Sequence, residues 1–259
     1  MELVIISMNT FIDLAMDEAQ KELSLYTYPV FATAKNNRPE LIGTAVVIEL
    51  DAKIYLVTAS HVITYLNENN SVFHIASGES FIEIKGNLTR SVHKNKDHFD
   101  IASIEITSDF ANLNKIGFLP QSRLLVGRKF HNPLLSFIHG YPCSKNKQAS
   151  ALMGGTVFRS YAFSYAGKIN RNFENWSKYY KDPEVHICMN YGKAVDIHGN
   201  QNIPPSPRGI SGGGLWVMPN VASPKTLYLA GIFIEYFDSP NISFSTRIDL
   251  VVDFIRKNI

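Results

Sequence analysis

The three residue types that together activate a serine occur far apart in this chain, in the order histidine, aspartate, serine. His61 ends the β-type run LVTASH, and Asp100 immediately precedes the alternating run IASIEI. Ser211 lies between glycines in the stretch PRGISGGGL. Serine becomes a good nucleophile when a neighbouring base removes its proton, and that base needs a carboxylate to hold its tautomer. A fold that uses all three residues must bring two distant strand ends and a glycine-rich loop together.

The order of these residues excludes another serine-hydrolase arrangement. The pattern GISGG at residues 209–213 also fits the nucleophile elbow of α/β-hydrolases, but in that fold the histidine follows the serine. Here every histidine precedes Ser211, namely His61, His74, His93, His98, His131, His139, His186 and His198. The subtilisin order would need an aspartate before His61, and the aspartates there lack a comparable glycine-rich or strand-end context.

Short β-type runs dominate two stretches of the chain, residues 28–106 and 134–246, with breaks rich in Asn, Asp, Gly and Ser. A long connection separates the two stretches. An amphipathic apolar stripe predicts a helix at residues 9–24, and a second helix is predicted at residues 249–258. The pattern predicts an all-β protein with a helix at each end.

The motifs, in this order, resemble those of trypsin/chymotrypsin-like serine proteases, in particular the disulfide-free bacterial members of the HtrA type. TASH at residues 58–61 is similar to the family's T-A-A-H, DIA at 100–102 to its D-I-A, and GISGG to its G-x-S-G-G. The resemblance implies two six-stranded antiparallel β-barrels. The implied domains are an N-terminal helical extension at 1–26 and a protease domain at 27–259, with barrel one at about 27–110, barrel two at about 130–248 and the C-terminal helix at 249–258. No PDZ domain is expected, unlike in HtrA proteins.

The resemblance also implies a role for each residue. Ser211 would be the nucleophile, His61 the general base and then acid, and Asp100 the carboxylate that orients the imidazole. The backbone N–H groups of Gly209 and Ser211 would form the oxyanion hole. Asp97 is the nearest competitor of Asp100, but it lacks the D-I-A continuation into a strand.

The resemblance places a substrate pocket beside the serine. The predicted pocket consists of Pro205, Ile234, Glu235, Tyr236 and Ser243. We expect a small or apolar residue before the cleaved bond, while Glu235 leaves a preference for basic residues open, because one register shift would aim its side chain inward.

One departure from the animal enzymes bears on regulation. In those enzymes the residue before the serine is an aspartate that pairs with a newly cleaved N-terminus, whereas here it is Ile210, which forms no ion pair. We therefore expect a site that is either preformed or completed by a partner. The polar, aromatic stretch at residues 167–183 is predicted to be an inserted loop or short helix near the site, either a surface elaboration or a contact for substrate or partner.

Composition excludes several classes of function. The formal net charge of +2 is too small to indicate nucleic acid as the main partner, and no apolar run is long enough for a membrane span. Only two cysteines occur, Cys143 and Cys188, which fits a reducing compartment, and no signal peptide is recognisable, so we expect a cytoplasmic protein. His186 and Cys188 share a strand face without a four-ligand zinc set, and neither a metal nor an organic cofactor is expected.

The sequence thus predicts a cytoplasmic serine endopeptidase acting on protein or peptide substrates. Because a free endopeptidase in the cytoplasm would be hazardous, we expect gating by a regulatory protein partner or by a narrow substrate range. Two alternatives remain open. One is a catalytically silent protease-fold binding module, and the other is an esterase or acyl transferase that uses the same triad.

Overall fold

The structure is a computed structural model that describes residues 17–33, 39–78, 80–91, 99–127, 135–147, 160–195, 201–219 and 227–258. These residues form two antiparallel sheets of seven and six strands, a two-stranded ribbon and a few short helices. The predicted all-β class with two β-layers is therefore confirmed, and the first sheet has one strand more than the six expected.

The first sheet is formed by the N-terminal half of the chain. Its strands are β1 (Thr27–Thr33), β2 (Pro39–Leu50), β3 (Lys53–Ala59), β4 (His74–Ser77), β5 (Ser80–Glu83), β6 (Asn87–Arg90) and β7 (Ile101–Ile106). Their spatial order is β5-β4-β1-β2-β3-β7-β6. A register shift in the pairing of β1 with β2, between Val30 and Phe31, is the kind of irregularity that bends a strand and lets a sheet curl around its core. Asp51 and Ala52 join β2 to β3 with φ values of 50° and 62°, as a tight two-residue hairpin requires.

The second sheet is formed by the C-terminal half. Its strands are β8 (Leu135–Gly140), β9 (Phe163–Gly167), β10 (His186–Asn190), β13 (Gly214–Met218), β14 (Tyr228–Phe237) and β15 (Ile242–Arg247), and the ribbon consists of β11 (Ala194–Val195) and β12 (Gln201–Asn202). Their spatial order is β10-β15-β14-β13-β8-β9. Trp216, Phe137 and Phe244 are fully buried in one hydrophobic cluster that also contains the core of the first sheet. The two sheets therefore pack as one body around the site described below.

The described residues include four α-helices. They are α1 (described over residues 17–23), α2 (Ser60–Glu68), α3 (Ser108–Leu113) and α4 (Ile248–Lys257). The first part of the N-terminal helix predicted at residues 9–24 lies outside the described residues. Helix α4 agrees with the prediction, because it buries Ile248, Val251, Val252 and Ile255, the i, i+3, i+4, i+7 face of an amphipathic helix.

Helix α4 also connects the two halves of the protein. Arg256, in its last turn, forms a bidentate ion pair with Asp51 in the hairpin between β2 and β3, with N···O distances of 2.8 and 2.9 Å. Its basic C-terminal end complements the helix dipole. The end of the chain that follows the second sheet is thereby held against the first sheet.

Candidate active site

His61 is held at the junction between β3 and α2. The strand ends at Ala59, whose side chain cannot cap the helix that begins one residue later. Two of the free N–H groups of the first helical turn are instead satisfied by Asp100: the N–H of Ser60 donates to the Asp100 carbonyl (3.0 Å) and the N–H of His61 donates to Asp100 Oδ1 (2.9 Å). Asp100 thus acts as a helix cap supplied from another part of the chain.

The same carboxylate also binds the imidazole. Asp100 Oδ2 lies 2.7 Å from Nδ1 of His61, and the two side chains are 14% and 50% exposed. A carboxylate only accepts hydrogen bonds, so Nδ1 carries the proton that it donates to Asp100. When the ring is neutral, Nε2 on its opposite edge is then the nitrogen that can accept a proton. Asp100 adopts this position with a left-handed backbone, φ 52°, a conformation that aspartate tolerates better than most residues.

The pKa of His61 reflects these contacts. Burial lowers it, but the hydrogen bond and the negative charge of Asp100 outweigh burial and hold the pKa above its usual 6.5. Glu235 adds a smaller upward effect through its charge, and Lys181 a smaller downward one. The imidazole therefore takes up a proton more readily than an isolated histidine does.

Ser211 lies in the loop that precedes β13. It lines the same open cleft as His61 and Asp100, with a volume of about 930 Å³. Among the described residues, the Ser211 hydroxyl makes no hydrogen bond to the imidazole of His61. In proteins without substrate, the hydrogen bond between nucleophile and base is often long and shortens only when substrate binds.

The backbone N–H groups of this loop fall into two sets. Those of Ile210, Gly212 and Gly213 donate backbone hydrogen bonds of 2.7 to 2.8 Å. Within the described part of the chain, those of Gly209 and Ser211 donate none. Among residues 209–213, the two N–H groups expected to form the oxyanion hole are thus the two without an acceptor in the described part of the chain.

Two glycines are required by the shape of the loop. Gly209 has φ 95° and Gly212 has φ 89°, a region that residues with a side chain rarely adopt. A Cβ at Gly209 would lie 2.7 Å from the Tyr141 carbonyl oxygen, and one at Gly212 would lie 2.0 Å from the Thr44 carbonyl oxygen. The glycines therefore allow the loop to rest directly on its neighbours.

Three of the five residues predicted for the substrate pocket line the cleft beside Ser211: Ile234, Glu235 and Tyr236. Pro205 and Ser243 are not among its lining residues. The hydroxyl of Ser243, which is 1% exposed, donates to the Met189 carbonyl (3.1 Å), and the Pro205 carbonyl accepts a hydrogen bond from the hydroxyl of Tyr191 (2.8 Å). Tyr191 is itself fully buried and packs edge-on against Tyr236.

The stretch predicted to lie near the site does contribute to the cleft. Lys178, Tyr179, Tyr180 and Lys181 line it. The Lys181 side chain is 6% exposed and forms a 2.7 Å ion pair with Glu235, which also lines the cleft. The polar and aromatic composition of this stretch predicted that it lies near the site. The ion pair between Lys181 and Glu235 could not be predicted in the same way, because it joins a loop to a strand more than fifty residues away.

Two further cations of the cleft were not predicted. Arg90 ends β6, and Arg208 directly precedes Gly209; both line the cleft. Asp97, the alternative to Asp100, lies outside the described residues.

Cys143 and Cys188 are free thiols, and burial raises the pKa of the Cys188 thiol to about 12. The part of the chain that the structure describes contains no group of three or more His, Cys, Asp or Glu side chains arranged to hold a metal ion. In the same ranges, none of the helices has both the length and the hydropathy needed to cross a bilayer.

Comparison with known proteins finds similarity of structure but none of sequence. No protein-family model matches the sequence, and no curated protein sequence matches it. A solved structure of Glu endopeptidase in complex with MPD is 11% identical, with a TM-score of 0.52 over 89% of each chain. A structure from work on the coupled folding and binding of the intrinsically disordered Sesbania mosaic virus VPg protein is 13% identical, with a TM-score of 0.50 over 88% of this chain and 89% of that one.

These likenesses bear on the fold. The Glu endopeptidase has a trypsin/chymotrypsin-like fold, and the two antiparallel sheets of this chain match that two-barrel architecture. The predicted fold is therefore confirmed. At such low identity, activity has to be argued from the site itself.

Proposed function

We propose that this chain is a serine endopeptidase with His61, Asp100 and Ser211 as its catalytic residues. In the first step the Ser211 oxygen bonds to the substrate carbonyl carbon while its proton passes to Nε2 of His61. The peptide C–N bond then breaks, and His61 gives that proton to the leaving amine. In the second step His61 takes a proton from water, the water oxygen attacks the acyl carbon, and the proton returns to Ser211 as the ester bond breaks.

The observation that carries the proposal is the 2.7 Å contact between His61 Nδ1 and Asp100 Oδ2 in the cleft that Ser211 also lines. Charge develops on the substrate carbonyl oxygen during the attack. The N–H groups of Gly209 and Ser211, which have no acceptor among the described residues, are suited to bind that oxygen. A base, its orienting carboxylate, a nucleophile and two donors are the groups that acyl transfer needs.

A second feature favours peptides over small esters. Strand β14 pairs with β13 only up to Ile232, and its later residues 234–237 continue along the cleft. On the side of β13, no described strand pairs with them. An extended peptide can add to such a free edge through its main chain. We therefore favour an endopeptidase over an esterase or acyl transferase.

The proposal includes a cytoplasmic location, with protein or peptide substrates and gating by a regulatory partner or a narrow substrate range. A catalytically silent binding module of the same fold is the second candidate. It is favoured by one observation, namely that the Ser211 hydroxyl makes no hydrogen bond to His61 among the described residues.

A fluorophosphonate probe tests the proposal. We expect purified wild-type protein to gain the mass of one adduct, Ser211→Ala to gain none, and Ser206→Ala, which changes another serine of the cleft, to label like wild type. Folded wild type that stays unlabelled would instead support the silent module. A peptide library and a p-nitrophenyl ester, assayed in parallel, then separate a peptidase from an esterase.

A further inference from the structure

The direction of the Gly209 N–H is determined by a contact on the other side of its peptide bond. The Arg208 carbonyl, which shares that peptide unit, accepts a 2.8 Å hydrogen bond from the backbone N–H of Cys143. A trans peptide unit is planar, and its carbonyl and N–H point in opposite directions. Because the carbonyl points toward Cys143, the N–H of Gly209 must point away from it.

The same reasoning applies to Ser211, with a different kind of anchor. The Ile210 carbonyl shares a peptide unit with the Ser211 N–H and accepts a 2.7 Å hydrogen bond from the N–H of Gly213. That contact lies within the loop and closes a tight turn. The contact to Arg208 comes from the segment after β8, so the Gly209 N–H depends on packing between two distant parts of the chain.

Further contacts hold the segment after β8 against the loop that contains Gly209. A Cβ at Gly209 would lie 2.7 Å from both Cys143 Sγ and the Tyr141 carbonyl oxygen, so the loop rests on this segment without a gap. The buried hydroxyl of Thr44 also links the loop to this segment, because it donates to the Gly209 carbonyl (2.7 Å) and accepts from the N–H of Tyr141 (3.0 Å).

We propose that the backbone N–H of Cys143 is a positioning group that keeps the oxyanion hole formed in the free protein, so that no partner is needed to complete it. This inference rests on the proposed function. If the Arg208–Gly209 peptide unit turned over, its carbonyl oxygen would point where the donor should be, and the developing oxyanion would lose one of its two N–H partners.

Two substitutions at position 143 isolate the N–H. Cys143→Ala keeps the N–H and removes the thiol, whereas Cys143→Pro removes the N–H and places ring carbons against the Arg208 carbonyl. The local backbone conformation accepts proline, because Cys143 is the first residue of a helical turn and Pro142 already has φ −72° and ψ 135°, the extended conformation required before a proline.

The measurement is the rate of acylation by p-nitrophenyl acetate and by the fluorophosphonate. We expect Cys143→Pro to be acylated about 10²- to 10³-fold more slowly than Cys143→Ala, the usual effect of losing one oxyanion donor. The NMR titration of the His61 ring should be the same in both variants, because the His61–Asp100 pair is not touched. Equal acylation rates in the two variants would overturn the inference and leave the proposed function intact.

A measurement on wild type covers the case in which Cys143→Pro does not fold. The Gly209 amide should exchange its hydrogen rapidly in the free protein and become protected when the phosphonyl oxygen of the adduct accepts its hydrogen bond. A Gly209 amide already protected before labelling would contradict a preformed hole. Folded wild type that shows no Ser211-dependent acylation at all would overturn both the preformed hole and the proposed function.

Discussion

The two halves of the candidate site use hydrogen bonds in opposite ways. In the first half, the Asp100 carboxylate binds both the backbone and the ring of His61, so the base is oriented by direct contacts. In the second half, the groups that would act on substrate, the Ser211 hydroxyl and two N–H groups, make no hydrogen bond among the described residues, while the carbonyl side of their loop is hydrogen-bonded to its surroundings.

This difference follows from what each half would have to do. A base must be held in one tautomer and have its pKa adjusted before substrate arrives, which requires a permanent charged partner. Donors for an oxyanion must stay vacant until the oxyanion forms, so they can be oriented only through the groups behind them. The first half should therefore be sensitive to loss of charge, and the second to loss of packing and backbone contacts.

The largest expected effect tests the first half. Replacing the carboxylate in Asp100→Asn puts an amide beside Nδ1 and favours the wrong tautomer of His61, so the acylation rate should fall by about 10⁴-fold. The control is Asp253→Asn, which removes an exposed carboxylate on α4. Stopped-flow acylation at neutral pH measures the rates, and a loss of less than tenfold in Asp100→Asn would contradict the assigned role.

The next effect tests the second half. Thr44→Val keeps the shape of a buried side chain but leaves the Gly209 carbonyl and the Tyr141 N–H unpaired. At about 1–3 kcal/mol for each unpaired group, the free energy of unfolding should fall by about 2–6 kcal/mol, and acylation should slow. Thr44→Ser retains the hydroxyl and should lose much less stability. Urea unfolding compares the two variants, and equal stability would argue against this role of the Thr44 hydroxyl.

The two halves also differ in how far they could be predicted from the sequence. Short motifs predicted His61, Asp100 and Ser211, because each motif combines a local backbone requirement with a reactive side chain, and the family resemblance of those motifs implied the N–H groups of Gly209 and Ser211. Helix α2 was missed, since its cap is Asp100, a distant residue that precedes β7. Helix α3 could have been found: Thr107 accepts a hydrogen bond from the Phe110 N–H, an ordinary N-cap within a stretch taken as a plain connection.

The contacts that support the second half could not have been predicted. Thr44, Cys143 and Lys181 act through long-range contacts to the loop or the cleft, and nothing in their neighbouring residues indicates those partners. The pocket shows the same limit. The family resemblance placed Pro205 and Ser243 in the pocket, but whether such a position faces the cleft depends on packing, which for Pro205 involves the buried Tyr191.

A smaller effect concerns acid stability of the second half. His139, on β8, is completely buried beside the nucleophile loop, and burial lowers its pKa from 6.5 to about 3. Between those values the unfolded chain binds a proton at this residue and the folded chain does not. Stability should therefore fall with falling pH, by up to about 1.4 kcal/mol per pH unit from this group. His139→Asn should flatten the curve by that slope in urea unfolding from pH 6 to 4. Parallel curves would mean that His139 is protonated in the folded protein.

The smallest effect concerns two charged residues of the cleft, Glu235 and Lys181, which change the pKa of the base in the first half. Glu235 raises the pKa of His61 and Lys181 lowers it. Glu235→Gln should therefore move the acid limb of the acylation–pH profile to lower pH, and Lys181→Met should move it to higher pH. Lys178→Met removes another cation of the cleft and serves as the charge control. The His61 Hε1 resonance, titrated in each variant, reports the same pKa without turnover. Shifts of the same sign in Glu235→Gln and Lys181→Met would show that the variants act through a change in structure rather than through their charges, since removing opposite charges must move a nearby pKa in opposite directions.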